Sequence, residues 1–279
     1  MTDDPLILGV DFTSAPRPRK PITVAIGRVS AAGLSIERIE TLPSFDDFEQ
    51  MLARPGPWVG GFDFPFGLPR ILLQTLGWPC QPQGAETAWA RMVRHLETLP
   101  RVEMVAAFRS WCDARPVGDK FAHRATDRIA GSSPSMKWVN PPVSFMLQAG
   151  APRLLAAGVS LPGLHAGDSR RVALEAYPGW LARQVLGRIS YKSDLPARNT
   201  PERLQARTQL VEAMEAGHLL GLPIWLPSAV RAACLADAQG DLLDAALCAL
   251  QAAWAAQRAA QGYGLPPEID PVEGWIVGC

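Results

Sequence analysis

The chain has 279 residues, of which 48% are hydrophobic and 19% charged, so it carries ample apolar material for a buried core and is unlike a disordered chain. Its 27 basic and 27 acidic residues cancel, so a nucleic-acid partner would have to be held by a local basic patch. Five cysteines without a C-x-x-C pair, no basic leader and no bilayer-length apolar stretch predict a cytoplasmic protein with reduced thiols and no membrane partner.

Apolar runs of strand length recur along the chain, and the first three are predicted to form an antiparallel meander. The predicted strands are 6–12, 22–29, 34–42, 58–64 and 171–177. Helical spacing of apolar residues predicts helices between and after these strands. The predicted helices are 44–53, 85–99, 152–157, 178–187, 201–217 and 241–261.

Three antiparallel strands followed by alternating helices and strands predict an α/β fold with an RNase H-like mixed five-stranded sheet flanked by helices. Residues 66–168 lack strand-like alternation and are punctuated by Pro and Gly, so we expect a mostly helical insertion between strands 4 and 5. Residues 1–279 would then form a single RNase H-like domain.

Two aspartates end apolar strands. Asp11 closes LILGVD and Asp63 follows WVGGF. Ligands of open α/β sheets bind at the carboxyl ends of the strands, and two adjacent carboxylates repel each other unless a cation or a proton lies between them. Hard oxygen ligands suit Mg²⁺ or Mn²⁺. The alternative for each residue alone is an ordinary turn or cap position.

Glu175 lies inside the apolar segment RVALEAYP, where a strand core is expected. Glutamate is rarely buried without a partner, so it is predicted to join the acidic metal site. The alternative is an ion pair with Arg170 or Arg171.

Asp241 and Asp244 share one face of the first turn of the last predicted helix. Capping and the helix dipole are sufficient to explain both residues. A helix that begins at a strand end would also deliver carboxylates to a metal, so both remain candidate ligands.

Short motifs in a fixed order give the chain a family resemblance. The motifs are GVDFTSAP, GFDFPFGLP, LEAYP, the pair Tyr191-Lys192 and GDLLDAALCAL. Together they resemble the domain-of-unknown-function family numbered 429, described as predicted RNase H-like nucleases, over nearly the whole chain. The last motif is similar to the final helix of Holliday-junction resolvases.

The resemblance implies hydrolysis of a nucleic acid or nucleotide phosphoester assisted by two divalent ions, Mg²⁺ or Mn²⁺. It implies that Asp11 bridges the ions, that Asp63 and Glu175 complete the ligand set, and that Asp244, with or without Asp241, closes it. Asp63 stands where several relatives in the wider superfamily carry the longer glutamate.

Basic residues suggest where a phosphate would bind. Lys120, Arg124 and Arg128 are spaced by four, which would align them on one helix face, with Lys137 nearby. The alternative is a solvated face with Asp127 as internal partner. Lys192, in the Tyr-Lys motif, is a further candidate phosphate contact.

Two other functions fit the same pattern. An actin-like small-molecule kinase or ATPase shares the sheet, but the chain shows neither a second copy of the five-stranded unit nor a Gly-rich adenosine motif. A non-catalytic RNase H-like binding module would not need all five carboxylates.

Overall fold

The computed structural model describes residues 4–279, and its strands form one mixed sheet. In chain order the strands are β1 (Leu6–Asp11), β2 (Ile22–Ser30), β3 (Gly33–Leu42), β4 (Trp58–Phe62), β5 (Val159–Ser160), β6 (Asp168–Glu175) and β7 (Ile224–Trp225). Across the sheet the order is β5-β6-β4-β1-β2-β3-β7. Among the five longer strands, β2 alone runs in the opposite direction: it is antiparallel to β1 and to β3, whereas β1 pairs in parallel with β4 and β4 with β6.

The sheet has seven strands within residues 4–279, whereas the sequence predicted five. The two additional strands, β5 and β7, are each two residues long and lie at the two edges. Two residues are too few to show the period-2 alternation by which a strand is recognised in a sequence. The antiparallel meander and the parallel strands that follow it are confirmed.

Ten α-helices surround the described sheet. They are α1 (Phe45–Leu52), α2 (Arg70–Leu76), α3 (Ala88–Thr98), α4 (Arg101–Asp113), α5 (Ala125–Ala130), α6 (Val143–Ala156), α7 (Pro178–Leu186), α8 (Pro201–Glu215), α9 (Ser228–Ala236) and α10 (Asp241–Ala256). The predicted helix at 152–157 is thus the end of the longer α6, which contains Pro152. The last helix ends at Ala256, earlier than predicted, and a 3₁₀ segment follows at Ala259–Gly264.

Each face of the sheet carries its own apolar core because side chains alternate along the strands. Leu8, Val10 and Phe62 point to the face covered by α1 to α4 and α6. Ile7 and Leu174 point to the opposite face, which is covered by α7 to α10. The segment between β4 and β6 therefore supplies most of the first cover, through α2, α3, α4 and α6.

Helix α10 packs directly on the centre of the sheet. A side-chain carbon at Gly9 would collide with the backbone of Ala245 and Ala249, and one at Gly61 would lie 2.5 Å from the Cys248 carbonyl oxygen. The alanine-rich face of α10, completely buried at Ala245 and Ala249, permits this approach. The carboxylates of α10 are therefore held close to the ends of β1 and β4.

Residues 274–278, GWIVG, pack against the end of β6. Ile276 forms an isolated parallel bridge with Glu175, and the Val277 amide donates to the Glu175 carbonyl oxygen at 2.9 Å. The buried Gln251 side chain of α10 donates to the Val277 carbonyl at 2.6 Å and accepts from the Tyr177 amide at 2.9 Å. Among residues 4–279, the helices are all too short or too polar to cross a bilayer.

Candidate metal centre

The register of the parallel strands places Asp11 and Asp63 side by side. Val10 is paired with Phe62, and the Asp63 amide donates to the Val10 carbonyl oxygen at 2.9 Å, so each aspartate stands one residue beyond this level. Val10 and Phe62 point to the face of α1 to α4. By alternation, both aspartates point to the opposite face, towards α10.

Asp244 reaches the same place from the first turns of α10. It is completely buried, and its amide donates to the Gly240 carbonyl oxygen at 2.8 Å. One carboxylate oxygen each of Asp11, Asp63 and Asp244 can be chosen so that all lie within 4.8 Å of one another. We call these three residues the acidic cluster. Asp11 and Asp63 remain partly exposed, so the cluster is open to solvent on their side.

The electrostatics of the acidic cluster favour a cation. Burial, followed by the charge of Asp244, raises the pKa of Asp63 to about 7. The same two causes, in the same order, raise the pKa of Asp11 well above its usual range. Three carboxylate oxygens at this separation are hard ligands of the kind that Mg²⁺ and Mn²⁺ prefer. The residues present therefore fit a divalent ion.

Lys192 and Tyr191 each donate a hydrogen bond to one carboxylate oxygen of Asp244. The Lys192 ammonium donates to Oδ2 and the Tyr191 hydroxyl donates to Oδ1. Burial alone would lower the pKa of Lys192, but the Asp244 carboxylate reverses the effect and the pKa lies well above its usual value. Lys192, a candidate phosphate contact from sequence, is thus an ion-pair partner of Asp244.

Asp241 lies at the edge of the centre, outside the acidic cluster. Its carboxylate is 3.8 Å from the Lys20 ammonium, and burial raises its pKa. The expected side-chain cap at Asp241 is wrong, because Gly240 precedes α10 and no side chain of the cap residue bonds to the helix. Asp237 takes that role, accepting from the Leu242 amide at 3.0 Å.

Glu175 is buried, but it faces the other side of the sheet. It is paired with Phe62, one residue before the level of Asp63, so alternation turns it away from α10. Arg124 donates to both of its oxygens, at 2.8 Å and 2.6 Å, and the Phe66 amide donates to Oε2 at 2.9 Å. Glu175 is outside the acidic cluster, and its role as a metal ligand stays a prediction.

The alternative partners named for Glu175 are engaged elsewhere. Arg171 pairs with Asp168 at 2.7 Å, and Arg170 donates to the Gly56 carbonyl oxygen at 3.0 Å. Burial works against the charge on Glu175 more than Arg124 supports it, so the pKa of Glu175 is raised.

The predicted basic stripe does not form on one helix. Helix α5 begins only at Ala125, so Lys120 and Arg124 precede it and Arg128 alone lies within it. Arg124 is buried between Asp127, at 2.8 Å, and Glu175. Asp127 is therefore the internal partner of Arg124, whereas Lys120 and Arg128 are exposed. Lys137 donates to the Asn140 carbonyl oxygen at 2.6 Å.

A cleft of about 600 Å³ opens beside the acidic cluster. Asp63, Glu175 and Lys192 are among the residues that line it. One wall is α7 with the loop after it, including Arg183 and Arg188, and the other comes from the segment around α5 and α6. Arg188 is exposed and makes no ion pair within residues 4–279, while Arg183 donates to the Tyr177 hydroxyl at 3.1 Å and to the Ala130 carbonyl oxygen.

Four functional residues were not predicted from the sequence. They are Tyr191, which donates a hydrogen bond to Asp244, Asp237, which caps α10, and the cleft residues Arg183 and Arg188. The Tyr-Lys motif contains Tyr191, but only its lysine was predicted to have a role in the site. Asp237 lies four residues before Asp241, too far for an ordinary cap. Arg183 and Arg188 have no distinguishing local pattern.

The fold and the acidic cluster define a mixed α/β protein with a candidate metal centre at the carboxyl ends of its central parallel strands. The chain belongs to the family described as "Protein of unknown function (DUF429)", whose model matches residues 9–270 and so includes all three cluster residues. The family predicted from the ordered motifs is confirmed. Neither a curated protein nor a solved structure matches the chain.

Proposed function

We propose that this protein is a divalent-metal-dependent, RNase H-like phosphodiesterase that hydrolyses a nucleic-acid or nucleotide phosphoester. The order β3-β2-β1-β4-β6, with β2 alone antiparallel, supports the RNase H-like assignment. The observation that carries the proposal is the acidic cluster, three carboxylates from β1, the end of β4 and α10, one of which, Asp63, also lines a cleft. This arrangement suits metal-assisted attack on phosphorus.

The residues of the chain have separate tasks in this proposal. Asp11 and Asp63, which are partly exposed residues, would hold the ion together with the buried Asp244. A bound ion would supply water activation and stabilise the leaving oxygen. Arg183 and Arg188, on the α7 wall, would hold phosphate charge, and the Tyr177 ring beneath Arg183 offers a surface for stacking a base.

The size of the cleft favours a small or single-stranded substrate. The cleft has a volume of about 600 Å³. It falls in the range of about 300–1,000 Å³ typical of small-molecule sites. We therefore expect a nucleotide, or the end of a single strand, to enter the cleft.

Metal binding is the first test. Wild-type protein and Asp11→Asn are titrated with Mn²⁺ by electron paramagnetic resonance, with Asp46→Asn as a control that alters an exposed aspartate in the first turn of α1. We expect wild type and the control to bind Mn²⁺ equally and Asp11→Asn to lose at least tenfold in affinity. Equal affinity in all three proteins would contradict the proposed centre.

Turnover is the second test. Single-stranded, duplex, hybrid and branched nucleic acids, together with nucleotide phosphodiesters, are incubated with the Mn²⁺-loaded protein. We expect cleavage of single-stranded or nucleotide substrates, lost in Asp11→Asn. Turnover of ATP without phosphodiester cleavage would favour the kinase alternative, and no turnover of any phosphoester would favour a binding module.

A further inference from the structure

We propose that the Lys192 ammonium occupies the place of a second divalent ion, so that this centre binds a single divalent ion. The inference rests on the proposed function, but it departs from the two-ion chemistry that the family resemblance implies. It starts from a contact that sequence reasoning did not anticipate, the ion pair between Lys192 and Asp244.

Side-chain donors already compete for the carboxylate oxygens that a second ion would need. Both oxygens of Asp244 already accept hydrogen bonds, from Lys192 and from Tyr191. Both oxygens of Glu175 accept from Arg124. Within residues 4–279, Asp11 and Asp63 are therefore the members of the acidic cluster whose carboxylates accept no hydrogen bond from a side chain, while Asp241 at the edge of the centre lies 3.8 Å from the Lys20 ammonium.

Charge balance leads to the same number. The acidic cluster carries three negative charges when all its carboxylates are ionised, and Lys192 contributes one positive charge in direct contact with it. One divalent ion would neutralise the remainder. A second divalent ion beside the Lys192 ammonium would add electrostatic repulsion.

The position of Lys192 is built into the fold and is not that of a mobile surface lysine. A side-chain carbon at Gly240 would come within 3 Å of the Lys192 Cβ and Cδ, so the turn before α10 packs against the lysine stem. The Ser193 amide donates to the Ala238 carbonyl oxygen at 2.9 Å and anchors the backbone beside it. Lys192 also lines the cleft, where a substrate phosphate would meet it.

The stoichiometry of bound Mn²⁺ tests the inference without any measurement of activity. Equilibrium dialysis and electron paramagnetic resonance are applied to wild type, to Lys192→Met, and to Arg109→Met, which removes an exposed cation from α4. We expect one Mn²⁺ per chain in wild type and in Arg109→Met. In Lys192→Met we expect two, because Asp244 regains a free oxygen and the added positive charge is absent.

Two Mn²⁺ ions in the wild-type chain, with the spin coupling of a close pair, would overturn the inference even if Lys192→Met failed to fold. A folded Lys192→Met that stays at one Mn²⁺ would overturn the role given to the lysine. These outcomes are distinct from failure of the proposed function. One bound Mn²⁺ without phosphoester cleavage would support the lysine assignment and reject the activity, whereas no Mn²⁺ binding would reject both.

Discussion

Arg124 bonds through one guanidinium to two carboxylates, Glu175 at the end of β6 and Asp127 in α5. All three side chains are almost completely shielded from solvent, at 1%, 3% and 1% residue exposure respectively. The arginine therefore links the segment before α5 to β6, the strand whose last residue, Glu175, lines the cleft.

Removing this arginine should destabilise the protein strongly. Arg124→Met leaves two buried carboxylates without their cation, and breaking a buried pair in this way costs about 3–5 kcal/mol. Urea unfolding at pH 7 measures the loss of unfolding free energy. Arg109→Met, on the exposed side of α4, is the matched control and should change stability by less than about 0.5 kcal/mol. A loss below about 1 kcal/mol in Arg124→Met would contradict the importance of the pair.

The side of the sheet on which a carboxylate lies should decide its effect on metal binding. Asp63 belongs to the acidic cluster, whereas Glu175 faces away and is held by Arg124. We expect Asp63→Asn to lower Mn²⁺ affinity at least tenfold and Glu175→Gln to lower it several-fold less. Calorimetric titration of both variants measures the difference. A larger loss in Glu175→Gln would restore Glu175 to the ligand set.

The metal-free protein should lose stability as the pH rises from about 4 to 8. The pKa of Asp63 is about 7 in the folded protein against 3.8 as its ordinary value, so the folded state binds the proton more tightly. Stability gained from this protonation is present below pH 4 and is lost as the pH rises through 7. At about 1.4 kcal/mol per pKa unit, the contribution is on the order of 4 kcal/mol.

The difference between wild type and Asp63→Asn isolates that contribution. His95 and His165 have lowered pKa values because they are buried, and they oppose the trend near pH 6.5 in both proteins. Denaturation at several pH values with a chelator present should show the variant becoming relatively more stable as the pH rises. A difference independent of pH would show that Asp63 ionises normally.

Tyr191→Phe should weaken the centre by removing one hydrogen bond from a fully buried carboxylate. An acceptor left without its donor costs about 1–3 kcal/mol, and the cost is larger for charged groups. We expect the metal-free variant to unfold at lower urea concentration and to regain stability with Mn²⁺, which can take up the freed oxygen. Tyr263→Phe, a tyrosine of the 3₁₀ segment after α10, serves as the comparison and should show no such recovery.

The strands and their carboxylates were predictable from the sequence, because apolar runs that end in an acid leave few alternatives. Alternation within β1 and β4 even assigns Asp11 and Asp63 to one face, opposite Val10 and Phe62. The orientation of Glu175 was not predictable, since it depends on the register between β4 and β6, which no local pattern determines.

The ion pairs of the site lay beyond sequence reasoning for a different reason. Lys192 and Asp244 are 52 residues apart, and Arg124 and Glu175 are 51 apart. Such contacts depend on how helices and strands distant in the sequence pack together. A lysine or arginine in the sequence is also typical of the solvent-exposed surface, so its type alone does not predict an ion pair. Only the short-range pair of Arg124 and Asp127 was within reach of a helical-spacing argument.

Gly9 and Gly61 allow α10 to pack closely on β1 and β4 beside the acidic cluster. At these two positions backbone packs against backbone, which holds α10, and with it Asp244, close to the strands that carry Asp11 and Asp63. The three carboxylates are consequently pre-organised, because the packing of the fold holds them together before any ion binds. Folding thus meets in advance the conformational cost of assembling the ligands, so that cost is not subtracted from the affinity for a cation.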